Sequence, residues 1–153
     1  MRGDRETLAR VWSNLASCDI RLGAIASAQE YAAKASALFD VLDMEGEAVR
    51  LLWSLGESLI ARGRIDDALR YVNGAAERFE KLGMIGNAIS ARCDTLGALL
   101  DRGDLQAAAD IAARAANDFI RVGADADAAH ALDYLRRATS AARATRPLVE
   151  QVR

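Results

Sequence analysis

The chain has 153 residues, enough for one domain whose core needs neither a metal ion nor a disulfide. A formal net charge of −2 argues against a dedicated nucleic-acid-binding protein, because such proteins carry a basic face. Two cysteines, Cys18 and Cys93, are too few for a disulfide framework. The sequence has neither a secretory signal pattern nor an apolar run of about 18 residues, so we expect a cytoplasmic protein that binds no membrane.

The composition favours helices along the chain. Hydrophobic residues make up 52% of the sequence and aromatic residues only 5%, while alanine, the residue with the highest helix propensity, is abundant. The single proline is Pro147, so nothing interrupts a helix before the last few residues. Because no segment alternates apolar and polar residues, we predict an all-α fold without strands.

An internal repeat with a period of 40 residues (23, 63, 103) organises the sequence. It predicts three repeats, at about residues 4–43, 44–83 and 84–123, each with two helices. A further helix over 124–143 lacks a second-helix partner, and we interpret it as a cap that covers the last apolar face of the stack. Residues 144–153 then form a flexible tail. Sets of equivalent residues include Gly23, Gly63 and Gly103; Ala28, Ala68 and Ala108; and Phe39, Phe79 and Phe119.

Glycines punctuate the predicted helices. Gly23, Gly63 and Gly103 follow the first helix of each repeat, because glycine accepts the left-handed backbone conformation needed just past a helix C-terminus. The second helices end at Gly83 and Gly123, but the first repeat has an aspartate, Asp43, at that position. Aspartate tolerates this conformation better than most residues do.

The second repeat carries the most specific motif. Leu52, Leu55-Gly56, Leu59, Gly63, Ala68, Val72 and Ala75 resemble the tetratricopeptide signature, with Leu52 where the family has tryptophan. The first repeat has that tryptophan, Trp12, whereas the third has Arg92. In the third repeat the Leu96-Gly97 pair also comes one residue late, which indicates either a local shift or a face with another use.

The resemblance implies a right-handed superhelix of antiparallel helix pairs, a tetratricopeptide-like solenoid closed by the capping helix. Its repeat exceeds the family's usual 34 residues and resembles the longer units of bacterial ATP-dependent transcription activators and related signalling proteins. In those proteins such arrays bind effectors, partner proteins or peptides. The small alanines would let paired helices pack closely, and the concave surface would be lined by the first helices.

By this resemblance, the groove that binds a partner is built from one set of first-helix positions. Trp53 is its most informative member, because Leu52 is expected to fill the adjacent core position and leave the indole exposed as an anchor. The alternative is that Trp53 packs against neighbouring helices. The predicted groove residues are Arg10, Asn14, Ser17, Arg50, Trp53, Ser54, Glu57, Cys93, Asp94, His130, Tyr134 and Arg137.

The function expected from this pattern is a protein- or peptide-binding scaffold in a bacterial signalling or regulatory assembly, without direct nucleic-acid binding. One alternative is a ligand-sensing fragment of a transcriptional regulator. Another is a structural homo-oligomer, with a homodimer formed through the terminal helices.

Catalysis is not expected. His130, the only histidine, lacks sequence neighbours that would complete a zinc site, so we predict no metal and no cofactor. A Cys93–His130 nucleophile pair stays open, because both positions line the predicted groove in adjacent repeats. Nothing in the sequence supplies a recognisable oxyanion site or an orienting third group for that pair.

Overall fold

The computed structural model describes the backbone of residues 1–150 and the side chains of residues 1 and 3–144. In this part of the chain all regular structure is α-helical, which confirms the predicted all-α class. None of the described helices is long and apolar enough to cross a membrane. The helices are α1 (Arg2–Leu22), α2 (Ile25–Val41), α3 (Glu45–Ala61), α4 (Ile65–Lys81), α5 (Ile85–Cys93), α6 (Leu96–Arg102), α7 (Leu105–Arg121) and α8 (Asp125–Glu150).

Short turns with a left-handed residue separate the predicted helices. The five predicted glycines all have positive φ, and Asp43 also adopts this conformation, with φ of 59°. Two or three residues therefore suffice to reverse the chain, which places consecutive helices side by side. The five glycines are Gly23, Gly63, Gly83, Gly103 and Gly123.

The chain divides into two compact units, and the first, Met1–Met84, contains α1–α4. Within it α1 packs on α2, α2 on α3 and α3 on α4. Alanines fill the closest helix contacts, as expected from the repeat: Ala28 and Ala68 are fully buried. The larger core residues are Phe39, Leu55 and Leu59.

Two arginines join the second repeat to the first inside this unit. Arg62 donates a hydrogen bond from its guanidinium to the carbonyl oxygen of Ile20, near the C-terminus of α1. Arg78 on α4 pairs with the carboxylate of Asp40 on α2 and lies 3.5 Å from the hydroxyl of Ser36. A cation near a helix C-terminus is stabilising because it offsets the partial negative charge of unpaired carbonyls.

The second unit, Ile85–Arg153, contains α5–α8. The first helix of the third repeat is interrupted by a turn at Asp94 and Thr95, so it forms α5 and α6. Thr95 is buried and donates its hydroxyl to the carbonyl oxygen of Arg92 at 2.7 Å. Of the two interpretations of the late Leu96-Gly97 pair, the structure supports the local shift.

The interruption has a steric reason. Leu96 is fully buried at the position that Gly56 occupies in the second repeat. At that position Gly56 lets α3 approach the side chain of Val72 on α4. A leucine cannot fit into so close a contact, and the third repeat combines Leu96 with a broken helix and with the smaller Ala112 in place of Val72.

The last helix is longer than predicted. The backbone of α8 continues to Glu150, whereas the sequence predicts an end near residue 143, before Pro147. Alanine and arginine make up five of the eight residues from 139 to 146, and both favour the continuation of α8. For the predicted flexible tail, residues 151–153 and the side chains of 145–150 lie outside the described residues.

Candidate functional site

A pocket of about 170 Å³ lies within the second unit, between α5 and α8. Its floor is apolar and includes the buried ring of Phe119 from α7. Polar side chains come from both walls. The lining residues are Ser90, Cys93, Asp94, Leu96, Phe119, Asp127, His130, Ala131 and Tyr134.

Four of the predicted groove residues meet in this pocket. Cys93 and Asp94 come from the end of α5 and the turn that follows it, and His130 and Tyr134 come from α8. Sequence reasoning therefore found one polar residue set on each wall. It missed Ser90, Leu96, Phe119, Asp127 and Ala131, whose contribution depends on how α5, α7 and α8 pack.

The α8 wall is an ordered stack of side chains. The rings of His130 and Tyr134, four residues apart, meet edge-on with centroids 5.3 Å apart at 88°. The guanidinium carbon of Arg137 lies 5.1 Å from the Tyr134 ring centroid, within cation–π range. Residues three and four apart on a helix are neighbours, so α8 holds these three groups in one row. Arg137, another predicted groove residue, thus contacts Tyr134 but does not itself line the pocket.

The pocket keeps Cys93 protonated. Burial, together with the nearby carboxylates of Asp94 and Asp127, raises the pKa of its thiol from 9.0 to about 11. A nucleophilic cysteine needs a lowered pKa, because the thiolate is the reactive form. The structure brings Cys93 and His130 to one pocket, but these surroundings disfavour the thiolate that a nucleophile pair would use.

The pocket exists because two of its lining positions, those of Cys93 and Ala131, both carry small side chains. In the second repeat, Trp53 occupies the position of Cys93, and its ring packs edge-on against Phe79, the equivalent of Phe119. Those rings lie 5.5 Å apart at 86°. The third repeat has no indole over its phenylalanine. Aligning the repeats position by position would have revealed this difference.

The first repeat fills the equivalent space in another way. Ser13 occupies the Cys93 position there, but Leu51 occupies the position of Ala131. Leu51 is 5% exposed and belongs to the same buried cluster as Phe39, the first repeat's phenylalanine. Only the third repeat, with Cys93 at one of these positions and Ala131 at the other, has a small side chain at both.

The other predicted groove residues lie in the first unit, on exposed faces of α1 and α3. Arg10 pairs with Glu6, and Arg50 pairs with Glu47 at 3.7 Å, each within its own helix. Such exposed ion pairs contribute little to stability. The exposed set is Arg10, Asn14 and Ser17 on α1, and Arg50, Ser54 and Glu57 on α3.

Trp53 differs from the expected exposed anchor. It is half-buried, and its contact with the fully buried Phe79 makes it part of the packing of α3 on α4. The premise that Leu52 fills the core beside it is also wrong. Leu51 and Leu55 are buried, whereas Leu52 is only half-buried.

Among the described residues, no group of three histidine, cysteine or acidic side chains is placed to hold a metal ion. Comparison with known proteins gives no further assignment: no protein-family model, curated protein or solved structure matches the chain.

Proposed function

We propose that this chain is a protein- or peptide-binding helical repeat of the tetratricopeptide type, acting in a bacterial signalling or regulatory assembly. The observation that carries the proposal is the pocket between α5 and α8, which unites Cys93, Asp94, His130 and Tyr134. These residues come from the first-helix positions that the family uses to contact partners.

The dimensions and chemistry of the pocket suit one side chain of a partner. Binding sites combine an apolar interior with a few polar groups that fix orientation, and this pocket has Phe119 and Leu96 below with carboxylates and an imidazole at its rim. A volume of about 170 Å³ is too small for most drug-sized ligands, whose sites begin at roughly 300 Å³. An inserted side chain leaves the rest of the partner on the surrounding helix faces.

The experiment is a selection from a library of displayed random peptides on the immobilised full chain. Enriched peptides are then titrated against the wild type, a double variant His130→Ala, Tyr134→Ala, and a matched double variant Arg10→Ala, Asn14→Ala on the exposed face of α1. We expect the α8 variant to bind at least about tenfold more weakly, a loss of roughly 1.4 kcal/mol. The α1 variant should bind almost normally, and both should keep wild-type helicity.

The proposal is overturned if no peptide is enriched, or if the enriched peptides bind the α8 double variant as well as the wild type. A metabolite panel run in parallel covers the alternative of a ligand-sensing regulator fragment. Saturable binding of a metabolite without any peptide binding would favour that alternative.

Self-association is a second candidate function, and an apolar stripe on α1 favours it. Large hydrophobic residues on α1 remain exposed: Leu8 by 42%, Val11 by 46% and Leu15 by 39%. Cys18 and Leu22 continue the stripe. The steps of three, four, three and four residues are those of a coiled-coil seam.

The equivalent stripe on α3 is covered. Ala48, Leu51 and Leu55 occupy the same repeat positions as Leu8, Val11 and Leu15, and all three are buried. Because α3 packs on α2, these positions form the face that a first helix turns towards a preceding helix. The α1 stripe thus has the character of a packing face, in contrast to the polar outer face of a capping repeat.

The occupant we favour is α1 of a second copy in antiparallel orientation. Layers that pair Val11 with Leu15 of the second copy, and Leu8 with Cys18 of the second copy, bring four of the five apolar positions together, whereas Leu22 lies opposite Asp4. The same register places Arg5 opposite Asp19 of the second copy on one side of the seam, so opposite charges meet.

Cysteine cross-linking tests this register. We expect the single variant Leu8→Cys to form a covalent dimer under mild oxidation, because its new thiol lies opposite Cys18 of the second copy. The double variant Leu8→Cys, Cys18→Ser should not cross-link in this way. A monomer in sedimentation at high concentration, or cross-linking of the wild type through Cys18 alone, would contradict the antiparallel seam.

A further inference from the structure

We infer that the pocket between α5 and α8 binds an aromatic side chain with an N–H or O–H donor, of which tryptophan is the best match. This inference rests on the proposed function and names the class of group that the pocket selects.

The second repeat contains an intramolecular example of the complex. There the indole of Trp53 packs edge-on against Phe79, and this arrangement is among the favoured geometries for aromatic pairs. Phe119 is the equivalent ring in the third repeat, and it is 7% exposed. Because Cys93 leaves the position of Trp53 vacant, a partner's ring can occupy the same place relative to Phe119.

The volume agrees with this class of group. An apolar cavity of about 150 Å³ accommodates a benzene ring. The pocket of about 170 Å³ is therefore large enough for one aromatic ring system, with its opening towards solvent leaving room for the larger indole. Aliphatic side chains would fill it less completely and would lack the edge-on contact with Phe119.

The polar residues at the opening of the pocket explain why the bound ring should carry a hydrogen-bond donor. Asp94 and Asp127 place two carboxylates at the pocket, and carboxylates accept hydrogen bonds. An indole N–H or a phenol O–H at the edge of the ring can donate to such an oxygen, which phenylalanine cannot do. A free carboxylate on the ligand would be repelled by the same rim.

The experiment uses N-acetyl-L-tryptophanamide as the probe and isotope-edited NMR of the full chain as the readout. We expect saturable shifts of the Cys93, His130 and Ala131 signals. N-acetyl-L-leucinamide at the same concentrations should produce no saturable shift at these residues.

Two variants close the pocket by copying other repeats. Cys93→Trp introduces the indole of the second repeat, and Ala131→Leu introduces the leucine of the first. Each should weaken probe binding at least about tenfold while its other signals keep their wild-type positions. Asn117→Trp adds an indole at an exposed site on α7 and serves as the matched control, with unchanged probe binding.

The inference is overturned if the probe produces no saturable shift, or if Cys93→Trp and Ala131→Leu bind it as the wild type does. Peptides enriched in the library selection without a shared aromatic residue would also overturn it, yet would leave the proposed peptide-binding function standing. Failure of the selection itself would remove both.

Discussion

Gly56 on α3 lies so close to Val72 on α4 that a Cβ atom built on the glycine would be 2.7 Å from Cγ2 of the valine. The same atom would also lie 3.3 Å from the backbone nitrogen of Val72. Real side chains do not approach so closely, and the backbone contact leaves little room for relaxation. The absence of a side chain at residue 56 therefore sets the spacing of the two helices.

Gly56→Ala should destabilise the chain, although alanine favours helices over glycine. We expect a loss of about 1–3 kcal/mol from overpacking, larger than the gain in helix propensity. Gly74→Ala is the matched control, because its added Cβ would meet nothing within 4 Å. That variant should gain up to about 1 kcal/mol. Urea unfolding followed by circular dichroism measures both, and equal effects would contradict the steric account.

The left-handed aspartate at the end of α2 predicts a stabilising substitution. Asp43 has φ of 59°, where residues with a Cβ are strained. Asp43→Gly should raise the free energy of unfolding by about 0.5–1 kcal/mol, and Gly83→Asp at the equivalent turn should lower it by about the same amount. Thermal unfolding of the pair tests the prediction. An unchanged or lower melting temperature for Asp43→Gly would contradict it.

Trp53→Ala should lower the melting temperature by several degrees. The substitution removes a half-buried ring that packs on Phe79, so we expect a cost of about 2 kcal/mol, below the 3–5 kcal/mol typical of fully buried aromatic residues. Exposed Ser54→Ala on the same helix is the control and should be close to neutral. An unaltered melting temperature for Trp53→Ala would restore the exposed-anchor interpretation.

Thiol reactivity should separate the two cysteines. With a pKa of about 11, Cys93 is about one part in a thousand thiolate at about pH 8. Iodoacetamide should therefore label the exposed Cys18 in the native chain well before Cys93. Peptide mapping by mass spectrometry gives the two rates, with urea-unfolded chain as the reference. Faster labelling of Cys93 than of Cys18 would contradict the protonated, half-buried thiol.

The same pKa shift sets a dependence of stability on pH. The folded state holds the Cys93 proton more tightly than the unfolded chain does, so its contribution to stability is present below about pH 9 and is lost as pH rises towards about 11. Cys93→Ala should show a weaker loss of stability across this window.

Most helices and their ends could be predicted from the sequence because they depend on local features; the break at Thr95 and the extension of α8 to Glu150 are the exceptions. The left-handed glycine at Gly63 and the aspartate at Asp43 act through backbone conformation alone, and the 40-residue spacing locates both. The apolar residues Leu8, Val11 and Leu15 also recur at helical spacing, so one helix face can be derived from the sequence. Which of these faces is covered depends on neighbouring helices, and repeat spacing does not supply that information.

The pocket could be predicted only in part, because its shape depends on side-chain volumes on three helices. Cys93 and His130 belong to expected surface positions, but the space between them depends on Ala131 being small and on Phe119 lying below. For the same reason the sequence left two alternatives open for Trp53, and the structure packs its ring on Phe79. Comparing side-chain volumes at equivalent positions of the repeats, in addition to residue types, would have identified both the pocket and the packing of Trp53.

We propose that the pocket between α5 and α8 is the surface that binds a partner. Titration calorimetry of the strongest selected peptide against the wild type and Cys93→Trp tests it most directly, with Asn117→Trp as the control. We predict that Cys93→Trp weakens binding at least about tenfold and leaves the melting temperature at or above that of the wild type. Unchanged affinity in Cys93→Trp would contradict the claim and place the partner elsewhere on the chain.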